Sequence, residues 1–463
     1  MLSQSLRMHI SNSLFWVAAM VFLVVWLLVE GRRIKLVMLG GSGLALCLYN
    51  SPLAAGTVVY SALVCALACA RITAEPVETR RGRLATLAII ALAAPLVLVK
   101  AGPPMMLAFD APVNWLAHLS FPIGLSFYTL QAIGYVVDVA QRHYEVKPAR
   151  AEVLVSLMMP PTIPSGPILR AGNILPQLAR IPRPTTDQLR LGLLLIAVGL
   201  MKKTVADHLG DAAAEFSSTD GNFFVAWSSM LAYAARLYAD FSGYSDIAIG
   251  MLMMIGISVP ANFNLPFVAK SPIEFWLRWH ISLSLWLRDY IYFPTAASPN
   301  KLRPLLAILV TTVFAGLWHG VGWVFVVYGV YHAALIVAFY LASHGKAAFH
   351  TRPLRTKADA AMALFTFYLI LLGLSCIRSG TLSGTLHWLE VSHGVGADFS
   401  LLYSSFLALI VAIGALVFVH LVDYWVRDKA SQRIALSYVA IVLCISFTVM
   451  LTYDSRQFIY ANF

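Results

Sequence analysis

The sequence predicts an all-α, polytopic integral membrane protein, and three observations predict it. Hydrophobic residues make up 59% of the 463-residue chain. Charged residues make up 12%, about half the share that a soluble domain carries. Apolar runs long enough to cross about 30 Å of hydrocarbon recur along the whole length. In chain order they cover residues 13–29, 34–49, 53–70, 84–99, 115–139, 189–205, 223–239, 304–317, 320–341, 360–376, 401–426 and 434–451. Those at 13–29, 53–70, 84–99, 304–317, 360–376 and 434–451 contain no charged residue at all. Together the runs imply roughly ten to thirteen spans, with one or two re-entrant or in-plane pieces.

The first run is followed directly by Glu30-Gly31-Arg32-Arg33, with no small-residue cleavage site. It therefore reads as a retained span rather than a signal peptide. No appended soluble domain, low-complexity linker or internal repeat is visible, so residues 1–463 read as a single membrane domain. The net charge of +11 comes from basic clusters in short connections. These are Arg32, Arg33 and Lys35; Arg71, Arg80, Arg81 and Arg83; Arg142, Lys147 and Arg150; Arg170, Arg180, Arg183 and Arg190; Lys346, Arg352, Arg355 and Lys357; and Arg427, Lys429 and Arg433. Poorly charged connections alternate with them, as at Asn50-Ser51-Pro52 and residues 100–112. That is the positive-inside pattern rather than a nucleic-acid surface. It predicts cytoplasmic basic loops and both termini outside. Cys47, Cys65, Cys69, Cys376 and Cys444 all fall in or beside apolar segments. No His or acid accompanies them at metal-ligand spacing, so they read as buried thiols and not as a metal site.

Polar residues within the apolar runs collect in four patches. Ser126, Thr129 and Gln131 lie in an apolar stretch with Gly124 and Gly134, a pattern of helix–helix hydrogen bonding and close packing. Pro160, Pro161, Pro164, Gly166 and Pro167 cannot continue a helix. Their backbone reads either as a re-entrant turn near a site or as an interfacial loop. Asp240, Ser242, Tyr244 and Asp246 follow Tyr238 between apolar runs. They read either as the polar wall of a chamber or as a short loop with helix-capping side chains. The fourth patch runs from Asn262 and Asn264 through Lys270, Glu274, Arg278, His280, Arg288 and Asp289 to Pro294. At 100° per residue, Trp276, His280, Ser284 and Leu287 share one helical face. Glu274 and Arg278 can pair at i, i+4. The segment reads either as an in-plane or steeply tilted helix lining a cavity or as a plain surface-lying anchor.

His319 is the most informative residue. Leu317-Trp318-His319-Gly320 closes an uncharged run, and Trp323 opens the next. A titratable ring at that depth is costly and marks a functional site by default. His280, in Phe275-Trp276-Leu277-Arg278-Trp279-His280-Ile281-Ser282, is framed in the same way. His332, in Gly329-Val330-Tyr331-His332, is a third candidate that reads more simply as a structural histidine. Two imidazoles in apolar surroundings suggest proton-transfer chemistry.

Taken in order, these motifs resemble those of the membrane-bound O-acyltransferase family, in particular its bacterial branch that acetylates exopolysaccharides. The matching segments are Phe127-Tyr128-Thr129-Leu130-Gln131-Ala132-Ile133-Gly134-Tyr135, the stretch 238–246, Asn262-Phe263-Asn264-Leu265-Pro266-Phe267, residues 274–284 and Leu317-Trp318-His319-Gly320. The ending Phe458-Ile459-Tyr460-Ala461-Asn462-Phe463 is similar too. The chain departs from the pattern after Tyr292-Phe293-Pro294, where Thr295-Ala296-Ala297-Ser298-Pro299-Asn300 replaces a glycine pair and a basic turn.

The resemblance implies roles as well as a fold: helices around a central catalytic chamber in the bacterial inner membrane. His319 would be the catalytic histidine and His280 its companion. Asp240, Ser242, Tyr244, Asp246, Asn264, Trp276, Arg278, Ser284, Arg288, Trp318 and Trp323 would line the chamber or bind the donor. No bound cofactor is implied; acetyl-CoA or another acyl thioester would be the co-substrate, guided by Lys270, Arg278 and Arg288. The acceptor would be a hydroxyl of an extracytoplasmic polysaccharide of the alginate or cellulose type, reached directly or through an extracytoplasmic acyltransferase partner. The chemistry is consistent with these roles. Acyl transfer needs a base for the hydroxyl proton and donors for the oxyanion, and an imidazole desolvated in an apolar pocket stays neutral and basic. The rival reading is a transporter or flippase for a polysaccharide precursor or acyl carrier, with histidines as proton relays. An intramembrane hydrolase is weaker, because neither His-Glu-x-x-His nor Gly-x-Ser-x-Gly occurs.

Overall fold

The helices form where the apolar runs lie, because only a helix satisfies every backbone group within one lipid-facing segment. The computed structural model describes residues 13–108, 121–142, 149–214, 221–297, 302–343, 354–400 and 403–427. The expected span 434–451, part of the span 115–139, Cys444 and the aromatic ending lie outside the described residues. The described helices are α1 (Ser13–Leu28), α2 (Arg32–Asn50), α3 (Pro52–Ala74), α4 (Glu78–Ala108), α5 (Leu125–Ala140), α6 (Arg150–Leu157), α7 (Ala171–Arg180), α8 (Thr186–His208) and α9 (Gly210–Ala214). There follow α10 (Phe223–Met254), α11 (Pro272–Trp276), α12 (Ile281–Leu287), α13 (Phe293–Ala296), α14 (Arg303–His319), α15 (Trp323–Ala342), α16 (Lys357–Ser379), α17 (Leu382–Ser392) and α18 (Tyr403–Arg427). Among the described residues no β-strand is formed; one isolated bridge joins Asn222 to Asp398.

Five of the described helices, in α3, α4, α15, α16 and α18, are long and apolar enough to cross a membrane, and α1, α5 and α14 contain shorter apolar segments. Their outward faces carry bare hydrocarbon, such as Leu28 at 76%, Leu87 at 65% and Leu364 at 70% exposure, which suits lipid rather than water. The chain is thus an all-α, multi-pass membrane protein. Fewer helices meet the crossing criterion than the sequence runs suggest, and charge is one reason. Lys202, Lys203 and Asp207 interrupt α8, and Arg236, Asp240 and Asp246 interrupt α10.

The chain divides into two compact units, and two of the boundaries fall inside α8 and α10. The first contains residues 1–196, 245–260 and 447–463. At its centre α3 packs against α2, α4, α5 and α6. Ser51 caps α3 by accepting from the Ala54 amide at 3.0 Å, and Pro52 occupies the first turn. The buried stripe of α3 is built of small residues, Ala54, Ala55, Ala62, Cys65, Ala66 and Cys69, which lets neighbouring backbones approach. Across that approach the Tyr128 hydroxyl donates to Thr57 Oγ1 at 2.8 Å, and the Cys65 thiol donates to the Ala132 carbonyl at 3.6 Å. Gln131 Nε2 donates to Tyr135 Oη within α5 and to the Ser156 carbonyl of α6, each at 3.0 Å. The interhelical hydrogen bonding of the first polar patch thus rests on Gln131, while the Ser126 and Thr129 hydroxyls are buried without such a bond. The proline-rich patch forms a 3-10 turn, Pro160–Thr162, and then an irregular run. Most of its residues are buried in protein, where broken backbone is tolerated at membrane depth. The second unit, residues 197–244 and 261–446, carries most of the candidate site.

Candidate functional site

His280 is placed by a clamp between two sequence motifs. Irregular, bent chain at 262–264 lies beside the turn that joins α11 to α12. The Ile281 amide donates to the Asn262 carbonyl, and the Asn264 amide to the Arg278 carbonyl, each at 2.8 Å. Asn262 Oδ1 also accepts from the Ser282 amide at 3.1 Å and from Ser282 Oγ at 2.9 Å. This holds His280 at φ 41°, ψ 54°, in the left-handed region immediately before α12. A non-glycine residue there pays roughly 1–2 kcal/mol, and such strain persists only where surrounding structure over-determines it. The turn breaks the helix that the periodicity suggests. Trp276 therefore ends α11, while Ser284 lies within α12 and bonds to the Trp279 carbonyl at 3.1 Å. The expected common face of Trp276, His280, Ser284 and Leu287 does not exist, because hydrogen bonding to Asn262 overrides helical phase.

His319 is the last residue of α14 and Gly320 caps it. α14 and α15 form a tight antiparallel pair because glycines sit at the contact. A Cβ on Gly316 would lie 2.1 Å from the Phe325 carbonyl oxygen, and one on Gly329 would lie 2.4 Å from Val313 Cα. The pair delivers Trp318 and His319 to the His280 turn. The Trp318 ring stands 5.7 Å from the His280 ring and 5.0 Å from the His319 ring, centroid to centroid. Trp318 is therefore a ring that both imidazoles pack against. Behind His319 the rings continue through Tyr328 at 5.9 Å to His332 at 4.5 Å, and Trp276 meets His332 edge to face at 5.2 Å. Phe241 covers the other side of His280, 4.7 Å away and edge to face. His280 is 1% exposed, and His319 is only partly buried. The sequence candidates His280, Trp318, His319 and Trp276 thus come together, and Tyr328 and Phe241 join them.

Other candidates have different surroundings. Asp240, Ser242 and Tyr244 are buried within continuous α10 rather than in a loop. Asp240 pairs with Lys203 at 3.0 Å. Asp246 belongs to the first unit. Asn264 and Arg278 serve the clamp: Arg278 donates to Glu274 Oε1 at 2.7 and 3.0 Å and to the Asn264 carbonyl at 3.0 Å. Its guanidinium is a brace, so the expected donor-guiding role does not fit its geometry. Lys270 pairs with Asp359 at 3.4 Å. Arg288 lies in a π-helical turn, half exposed, and bonds to neighbouring Asp289 at 2.7 Å. Trp323 is 77% exposed at the start of α15. The sequence reading missed a buried ionic group in α8 and α18, Lys202, Lys203, Asp207 and Asp423. The signal for it was present, since each is a charge within or beside an apolar run.

Residues 189–380 match the model of the MBOAT, membrane-bound O-acyltransferase family. "Probable alginate O-acetylase AlgI" of Azotobacter vinelandii is 34% identical over 268 residues, 57% of this chain and 52% of that protein. The "Peptidoglycan O-acetyltransferase" of Helicobacter pylori (strain ATCC 700392 / 26695) is 30% identical over 308 residues, 59% of this chain and 57% of that protein. The "Teichoic acid D-alanyltransferase" of Bacillus subtilis (strain 168) is 28% identical over 269 residues, 54% of this chain and 67% of that protein. The chain spans about half the length of the first of these relatives (52%). His280, Trp318 and His319 all fall inside the matched region. Residues 189–380 of the chain are thus similar in sequence to the membrane-bound O-acyltransferase family.

Proposed function

We propose that the protein is a membrane-embedded O-acyltransferase that moves an acetyl group from a cytoplasmic thioester, acetyl-CoA or a close analogue, toward a hydroxyl of an extracytoplasmic polysaccharide. One observation carries this reading: the juxtaposition of His280 and His319 around Trp318 inside the family-matched region. The names of the relatives, which speak of alginate, peptidoglycan and teichoic acid, support a cell-surface polymer as the acceptor class. They also support a bacterial inner-membrane location. Residues 1–463 act as one membrane domain, and an extracytoplasmic acyltransferase completes delivery to the polymer.

In the reaction the acceptor hydroxyl oxygen attacks the thioester carbonyl carbon. A C–O bond forms and the C–S bond breaks. His319 takes the hydroxyl proton as the bond forms and returns it to the departing thiolate, so no net proton is consumed. His280 donates to the developing oxyanion or orients the thioester. Trp318 packs against both rings and limits where each can move. The test is release of free thiol from acetyl-CoA by purified protein supplied with a hydroxyl acceptor. His319→Ala should abolish acceptor-dependent release in a folded protein. Wild-type release by that variant would remove His319 from the chemistry.

A further inference from the structure

The second unit holds a buried ionic group outside the histidine site. Lys202 pairs with Asp423, and Lys203 pairs with Asp207 at 2.6 Å and with Asp240 at 3.0 Å. All five residues are at most 4% exposed. They come from α8, α10 and α18, and the α8–α10 contact is close because a Cβ on Gly243 would lie 2.8 Å from the Gly199 carbonyl oxygen. Five ionisable groups buried in this way carry a heavy desolvation penalty when charged, and replacing such pairs with hydrocarbon is often stabilising. Stability alone is therefore a poor reason for them.

One further bond gives them another purpose. The Tyr238 hydroxyl donates to the second carboxylate oxygen of Asp423, so Lys202 and Tyr238 fix one carboxylate from two sides. The Tyr238 ring is fully buried. It meets Phe267 at 5.3 Å, Phe263 at 5.7 Å, Trp279 at 6.1 Å and His420 at 4.8 Å. Phe263 stands within the clamp, between Asn262 and Asn264, and Trp279 immediately precedes His280. Phe263 also packs on Phe241 at 5.0 Å, and Phe241 packs on His280 at 4.7 Å. The strained His280 turn thus leans on an aromatic box, and the box leans on a phenol tethered to an ion pair.

We infer that Asp423 is a positioning residue for the His280 site, acting through the Tyr238 hydroxyl and the aromatic box, with Lys202 holding its carboxylate in place. The inference deepens the acyl-transfer reading and rests on it for its kinetic consequence. It names an element on α18, outside the family-matched region, that sets the geometry of a residue within it.

Two readouts test it. One is the rate at which diethylpyrocarbonate modifies His280 in the full-length, detergent-purified protein, read by peptide mass spectrometry. The other is kcat per folded molecule. Tyr238→Phe deletes one hydroxyl and keeps the ring. It should raise the His280 modification rate and lower kcat between about tenfold and a hundredfold, the range a small misplacement costs, with KM within about twofold. Asp423→Asn supplies an amide whose oxygen faces Lys202 while its nitrogen donates to the Tyr238 oxygen, so the tether persists with its direction reversed, and it should retain most of kcat. Lys202→Met/Asp423→Leu removes acceptor and charges together, leaves no orphaned ion, and should match Tyr238→Phe. Adding Tyr238→Phe to it should cost nothing more. Unchanged His280 modification in Tyr238→Phe, loss of kcat in Asp423→Asn equal to that of Tyr238→Phe, or additive losses would each overturn the inference. Faster His280 modification in a wild-type background that transfers no acyl group would instead sink the acyl-transfer reading and leave the tether standing.

Discussion

Replacing His280 by glycine and by alanine separates its backbone from its ring. Both changes delete a ring that is 1% exposed and packed on Phe241. Loss of a buried aromatic-sized side chain costs about 3–5 kcal/mol in either case. The two variants differ at φ 41°. Alanine still pays roughly 1–2 kcal/mol of left-handed strain, whereas glycine pays none but gives up roughly 0.5–1 kcal/mol of extra chain entropy. The glycine variant should therefore be the more stable by about 0.5–1 kcal/mol. That reverses the ordinary helical order, in which alanine leads by about 1 kcal/mol. Thermal unfolding of detergent-purified protein should show it as a midpoint difference of no more than about 2 °C. Acyl transfer should fall equally in both, by about 10²- to 10³-fold. An alanine variant as stable as the glycine one would mean that the clamp does not impose the left-handed turn. Retained activity in the glycine variant would mean that the ring is not needed.

Further expectations concern the parts around that turn. Asn262→Ala removes both bonds to Ser282 and should destabilise the protein by about 2–3 kcal/mol; chemical denaturation will read this, and a faster His280 modification rate should accompany it. Arg278→Ala strands the buried Glu274 carboxylate and should cost about 3–5 kcal/mol. Glu274→Gln/Arg278→Met should recover most of that loss, with KM for the thioester unchanged, as a brace rather than a donor contact requires. Asp398 joins the start of α10 through the Phe223 amide at 2.9 Å. Its carboxyl is held below the usual carboxylate range by the Ser400 hydroxyl and then the Ser400 amide. Since the folded form binds its proton more weakly than the unfolded form, this contribution is present above pH about 4. It is lost as pH falls through the lowered folded value. Acidification should narrow the stability gap between wild type and Asp398→Asn; a gap that is constant with pH would contradict the assignment.

Much of the fold was legible because membrane spans are written in continuous composition. The apolar runs at 53–70, 84–99 and 360–376 lie within helices long enough to cross. The i, i+4 pairing of Glu274 with Arg278 follows from helical spacing alone, and the structure forms it. The break at His280 was not legible, because it depends on an asparagine at position 262 that periodicity within 274–287 cannot sense. The polar stretch 238–246 misled for a related reason. Its Asp240 lies in an unbroken helix since Lys203 supplies the countercharge from α8. The exposure of Trp323 was not legible, because proximity to a key motif says nothing of how the first turn of α15 places the ring. Asp423 and Lys202 were not legible because each is a charge in its own apolar run, and nothing within either run points to a partner separated by most of the second unit's sequence.

The central claim is that His280 and His319 serve one acyl-transfer event. It is tested most directly by acceptor-dependent thiol release measured for His280→Ala, His319→Ala and the double variant. Two rings acting on one transition state predict strong non-additivity, with the double variant no slower than the slower single one. Independent, multiplicative losses, or a His319→Ala protein that turns over at the wild-type rate, would contradict the account.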